Sequence, residues 1–222
     1  MIKIEKTDVF GWEAAIRGMR NPMNSWDRSD SDFAYDCEMC GGDCGEYANC
    51  TGVCVHIGDN DLDLMKRLAH AGSVHAKYRR MITVTCDITA PLYWWKEYDT
   101  YKVGTVANSC STMHKIHANE FEISNFSWER LNERSIRVLE AVIDELNFNR
   151  TAFIETKDKI YWDQMIQLLP SSYNQKRTVQ LNYEVLVGMY RDRKNHKLDE
   201  WRNFCDWIAA LPYSEIITGG CS

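Results

Sequence analysis

Five of the chain's nine cysteines, Cys37, Cys40, Cys44, Cys50 and Cys54, fall in one short stretch. Thiolates this close in sequence suit a soft metal, whose binding energy replaces a missing core. The run opens with a Cys-x-x-Cys pair, and Gly41, Gly42, Gly45 and Gly52 let the backbone turn tightly around an ion. The expected occupant is structural zinc held by Cys37, Cys40, Cys50 and Cys54, or with Cys44 or His56 replacing one of them. An iron–sulfur cluster is the less favoured occupant, and reduced, unbound thiols are the bland alternative. Neither an open coordination position nor a general base stands out, so the metal's expected role is structural.

A second group of residues carries reactive or cationic chemistry. Cys110 lies between Ser109 and Ser111, with His114 and His117 a few residues on. A loop thiolate is a nucleophile, although a lone cysteine is more often a small packed residue. Arg191 sits in Arg191-Asp192-Arg193-Lys194, where helix spacing alone favours a solvated arginine. Lys176 and Arg177 follow Asn174-Gln175 and offer phosphate contacts, and Lys96 follows a Trp-Trp pair.

These residues need elements to position them. The opening Ile2-Lys3-Ile4-Glu5 alternates as a strand does, and Asp8 to Met19 reads as a helix with Trp12, Ala15, Ile16 and Met19 on one face. Residues 21 to 57, polar and then cysteine-rich, read as a loop insertion. A helix is expected from Asp59 to about Ala71, with a stop at Gly72. Met81 to Ile88, rich in β-branched residues, reads as a strand, and Pro91 to Trp95 as a strand edge or helix start. Trp128 to Leu146, Lys157 to Leu169, Thr178 to Tyr190 and Leu198 to Leu211 read as helices, with a break at Pro170.

The chain has 222 residues, 45% of them hydrophobic and 26% charged, enough for a single domain with an internal insertion, spanning 1–222. A formal net charge of -6 gives no field that attracts polyanions, so a small ligand is expected and a nucleic-acid partner is not. No apolar run is long enough to cross a bilayer, and the amino terminus lacks a secretory apolar segment, so no membrane partner and a cytoplasmic location are expected.

Three segments together resemble the flavin-dependent thymidylate synthases. Leu64 to His75 is similar to that family's helix and the histidine opening its HxSPFEH stretch. Ala90-Pro91-Leu92-Tyr93-Trp94-Trp95-Lys96-Glu97 falls where the family has a Pro-aromatic strand ahead of its RHRxxSxNExSxR signature. Leu168-Leu169-Pro170, then Thr178-Val179-Gln180-Leu181-Asn182 through Arg191, Glu200 and Arg202, is similar to its LP, TVNLRSL, LR and AQxEIR elements.

The resemblance implies an α/β (α+β) fold with a central, mostly antiparallel sheet, flanking helices and a largely helical carboxyl half. It implies a homotetramer that acts on a dUMP-type pyrimidine deoxynucleotide with FAD. Counted from Pro91, the RHR triplet falls on Thr100, Tyr101 and Lys102 and the first serine on Thr105. With a one-residue insertion after Thr105, Asn108 and Ser111 match the later Asn and Ser; without it Cys110 takes the second serine's place. Both registers stay open.

By this correspondence His75, Lys102 and Thr105 face the flavin, Arg191, Lys96 and Arg177 the nucleotide, and Cys110 and Ser111 are the catalytic candidates, the thiolate being suited to attack carbon six of a uracil ring. The chain departs from the family where two arginines and a histidine become Thr100, Tyr101 and Lys102, and where the Glu-His pair closing HxSPFEH becomes Arg80-Met81. Arginine grips phosphate with a bidentate fork that Thr, Tyr or one Lys cannot imitate. The alternative expectation is therefore a non-catalytic nucleotide-binding protein, a sensor or sequestering factor without flavin chemistry.

Overall fold

The computed structural model describes residues 1–34 and 54–219. The chain begins with strand β1 (Lys3–Phe10) and helix α1 (Trp12–Arg20). The strand is longer than the opening alternation predicts, and the helix starts later than Asp8. Gly11 makes the corner: its φ is 90°, and a Cβ there would lie 2.1 Å from the Met81 carbonyl oxygen, so only glycine fits. Residues 21 to 57 are less irregular than expected. Short strands β2 (Asp32–Ala34) and β3 (Cys54–His56) pair antiparallel, with Asp32 opposite His56 and Ala34 opposite Cys54. Cys37, Cys40, Cys44 and Cys50 lie outside the described residues, as does the side chain of Cys54.

Helix α2 (Asp59–His70) matches its expected span, and strand β4 (Thr83–Pro91) leads directly into helix α3 (Leu92–Tyr98). Strand β5 (Val106–Ser109) and a one-turn helix α4 (Thr112–Lys115) precede the long helix α5 (Glu133–Thr156) and helix α6 (Lys159–Leu168). Helix α5 starts at Glu133 rather than Trp128 because Asn132 caps it, its side chain accepting from the Ser135 N–H at 3.0 Å.

The main correction concerns Thr178 to Tyr190, expected as one helix. Residues Asn174–Asn182 form strand β6, and helix α7 begins only at Tyr183. Thr178-Val179-Gln180-Leu181 alternates exposed and buried, the period of a strand, and the Asn182 side chain then caps the helix by accepting from Val185 N–H at 3.1 Å. Helices α8 (Asp199–Ala209) and α9 (Glu215–Thr218) complete the described chain.

Strands β1, β4, β6 and β5 form an antiparallel sheet in that order, and helices make up most of the remainder, the expected mixed α/β class. The chain clusters into two compact units, one of residues 1–3, 87–100 and 107–178, the other of residues 4–86, 101–106 and 179–222. The first has a core of Phe121, Phe126, Leu139, Leu146 and Met165 between α5 and α6. The second is built on buried aromatics: Trp12 meets Tyr183 edge-on at 5.3 Å, and Trp201 and Phe204 are fully covered. No helix among the described residues is long and apolar enough to cross a membrane.

Candidate nucleotide site

In the first unit, strand β6 and helix α3 meet through polar side chains. The aromatic run ahead of Lys96 is core: Trp94, Trp95 and Tyr98 are all buried, so these rings support the neighbouring polar groups instead of offering an open base platform. The Trp95 indole N–H donates to the Gln175 carbonyl at 3.0 Å. Arg177 lies over that indole, 4.1 Å from the ring centroid, and donates from Nη1 to Asp99 Oδ1 at 2.7 Å and from Nε to Gln175 Oε1 at 3.0 Å. Its charge is thus compensated inside the chain. Lys176 is likewise paired, with Asp87 Oδ2 at 2.9 Å, and Thr178 donates to the other oxygen of the same carboxylate at 2.6 Å. Lys96, on the outer face of α3, is exposed.

Gln175 also joins Arg177 to the catalytic candidates. Its Nε2 donates to the Cys110 carbonyl at 2.8 Å, while the Cys110 N–H donates to the Lys176 carbonyl at 2.9 Å. The backbone of Cys110 is pinned on both sides and its thiol is exposed. Ser111 is occupied otherwise: its hydroxyl accepts from the His114 N–H at 3.0 Å and caps α4. Burial, with the neighbouring Cys110 charge adding to it, pushes the Tyr173 phenol up from its ordinary value. No imidazole hydrogen-bonds the Cys110 thiol among the described residues.

The second unit holds His75, Lys102, Thr105 and Arg191. Thr105 donates its hydroxyl to the Tyr101 carbonyl, closing a tight loop. Gly104 stands there at φ +77°, and a Cβ on it would lie 3.0 Å from Val185 and 3.1 Å from Asn182. Lys102 and His75 are exposed, and among the described residues no hydrogen bond or ion pair joins them to each other or to Thr105. Arg191, in the last turn of α7, is exposed and pairs with Asp192 at 2.9 Å.

Nothing in the chain's local pattern singles out Arg193, yet its guanidinium lies 4.7 Å from the Trp201 ring centroid and 5.6 Å from that of Tyr101, and its Nε donates to the Tyr101 hydroxyl at 2.9 Å. Gln175, Asp99 and Asp87 were missed as well. Only Asp99 carried a signal, its place between Tyr98 and Tyr101. Among the described residues no group of three or more His, Cys, Asp or Glu side chains is arranged to hold a metal.

No protein-family model matches the chain, and no curated protein matches it in sequence. Solved structures do match in shape. Thymidylate synthase X from Helicobacter pylori with FAD and dUMP shares 16% identity at a TM-score of 0.68, with 100% of each chain covered. A second structure of that enzyme, also complexed with FAD and dUMP, covers 99% of this chain and 100% of its own at a TM-score of 0.67 and 16% identity. The fold is that of the flavin-dependent thymidylate synthases. A UMP/dUMP methylase, PolB from Streptomyces cacaoi, bound with 5-Br dUMP, matches at 12% identity and a TM-score of 0.61, over 99% of this chain and 95% of that one.

On this thymidylate synthase X fold, a flavin's phosphates need several cations or backbone donors. Of the three residues assigned to the flavin, Thr105 has given its hydroxyl to the loop, and Lys102 is the one permanent cation. These residues do not by themselves make a dinucleotide cradle.

Proposed function

We propose that this protein binds a pyrimidine deoxynucleotide of the dUMP type. One observation carries the reading: the structures sharing the fold over nearly the whole chain are described with a uridylate ligand in all three cases and with a flavin in two. Arg191 is the proposed phosphate contact, since it is an exposed guanidinium in the last turn of α7 and a guanidinium fork matches phosphate geometry. Lys96 and Arg177 keep nucleotide roles only through the resemblance, and Arg177, held against Trp95 and Asp99, is a fixed rather than a mobile donor. The proposal extends to a homotetramer and to zinc on the cysteine-rich insertion.

Two forms of the reading differ in chemistry. In the first the protein is a thymidylate synthase-like enzyme that requires FAD together with a separate one-carbon donor, with Cys110 and Ser111 at the reacting ring. In the second it binds the nucleotide without turnover. The poverty of donors at the flavin positions favours the second, because Thr105 gives its hydroxyl to the Tyr101 carbonyl and Lys102 is the one permanent cation among the residues assigned to the flavin.

Calorimetry with dUMP, run beside an absorption spectrum of the purified protein, tests both. Saturable dUMP binding that weakens about tenfold in Arg191→Ala is expected. Absence of binding would refute the proposal. A flavin spectrum with dUMP-dependent NADPH oxidation selects the enzyme, and a colourless protein that still binds dUMP selects the binder.

A further inference from the structure

Helix α5 buries one face and leaves another uncovered. Leu139, Ile143 and Leu146 pack against Met165 of α6 in the core of the first unit. Leu131, just ahead of the helix, and then Arg134, Val138, Ala141, Glu145 and Phe148 form a separate row at alternating three- and four-residue spacing, all exposed. That spacing puts the six side chains on one helix face, where a second helix can pack. The large members are far from covered: Phe148 is 62% exposed, Val138 60% and Leu131 40%. A groove of about 470 Å³ flanks the row, with Arg134, Val138, Ala141 and Glu145 on one side and Arg137, Val142 and Leu168 completing its lining.

The row's two charges identify its occupant. Arg134 and Glu145 stand about 16 Å apart along the helix axis, three turns, too far to reach each other within one chain. Neither enters an ion pair among the described residues, although Glu145 Oε1 accepts from Asn149 at 2.9 Å. Laid antiparallel on a second copy about a two-fold axis between Val138 and Ala141, the row pairs Arg134 with Glu145, Val138 with Ala141 and Leu131 with Phe148. Symmetry makes each of these contacts occur twice. Sliding the copies one layer sets Arg134 against Val138 or Ala152 and breaks the charge match. A parallel pairing sets arginine on arginine and glutamate on glutamate.

We propose that this face of α5 is a self-association surface whose occupant is the α5 helix of a second copy, in the antiparallel register that pairs Arg134 with Glu145. The inference rests on the residues of α5 alone and is independent of the nucleotide reading. It goes beyond the expected homo-oligomer by naming a face, a direction and a register.

Sedimentation velocity of the full chain across a concentration series, without nucleotide, tests it with two charge reversals. Arg134→Glu and Glu145→Arg each place like charges at both symmetric contacts, and each is expected to weaken association at least about tenfold. Mixing the two variants restores it, because a mixed pair matches charges at both contacts. Unchanged helical circular dichroism in each variant separates this from misfolding, since both positions are exposed. A wild-type chain that stays monomeric, reversals that associate as well as wild type, or a mixture that fails to recover would each overturn the proposal. Nucleotide affinity measured on the same variants stands apart, so failure here leaves the dUMP proposal untouched.

Discussion

Two arginine–aspartate pairs in this molecule show how differently one chemistry is used. In the second unit, Arg20 donates from Nε to Asp61 Oδ1 at 2.6 Å, with the two side chains 4% and 0% exposed. The other Asp61 oxygen accepts from Ser29 at 2.7 Å, Ser31 at 2.6 Å and the Asp30 N–H at 3.2 Å. Asp30 in turn caps α2, accepting from the Asn60 and Asp61 N–H groups. This cluster ties residues 29–31 to α2 through four bonds to a carboxylate that is itself fully buried. In the first unit Arg177 faces an Asp99 that is 50% exposed, and part of its hold comes from lying on Trp95. A buried pair is costly to break because the survivor is left uncompensated, whereas a half-exposed pair lets water take over.

The sharpest way to break this comparison is Asp61→Asn. It strands the Arg20 charge in the core and is expected to cost about 3–5 kcal/mol in urea unfolding, so a loss below about 1 kcal/mol would mean the clamp is not rigid. Arg177→Ala should cost only about 1–2 kcal/mol by the same measurement, the sum of an indole stack and a water-screened pair.

Acid should narrow the gap between the two regions. Burial alone would raise the Asp61 pKa, but hydrogen bonds from Ser31, Ser29 and Arg20 outweigh it and hold the carboxyl below its ordinary 3.8. A depressed carboxylate stabilises the fold fully above its unfolded value, and that stability is lost as pH falls through the folded value. The urea midpoint difference between wild type and Asp61→Asn should therefore shrink at pH 3 relative to pH 7. A constant difference would show that Asp61 does not titrate with unfolding.

Thiol labelling with peptide mapping gives the next contrast. Burial pushes the Cys205 thiol up to about 11, and Cys86 is buried too, so Cys110 should label first of these three in the native protein. Smallest of all is the stability effect of Arg191→Ala, expected within about 0.5 kcal/mol because the residue is exposed, even as nucleotide affinity falls. A large stability loss would assign Arg191 to packing instead of the ligand.

Where a sequence signal was local, it located the elements well. Helix α2 follows its Gly58 and Gly72 boundaries, α6 ends ahead of Pro170, and α8 shows its Trp201, Phe204 and Ile208 face. Residues 178 to 190 misled because a strand and a helix adjoin there with no Gly or Pro between them. Thr178 to Leu181 fits the start of an amphipathic helix almost as well as a strand, until sheet pairing decides. The candidate cations were visible as residue types, but their state was not: Asp99, which neutralises Arg177, is 78 residues away in the chain.

The sequence by itself determined where most of the helices lie and that five cysteines cluster between positions 37 and 54, because each depends on neighbours a few residues apart. Tertiary structure alone decided which charges are already matched, which aromatic rings are core, and which face of α5 is left bare. Those outcomes follow from burial and from partners distant in sequence, and a carboxylate or an indole shows no trace in the sequence of what it will lie against.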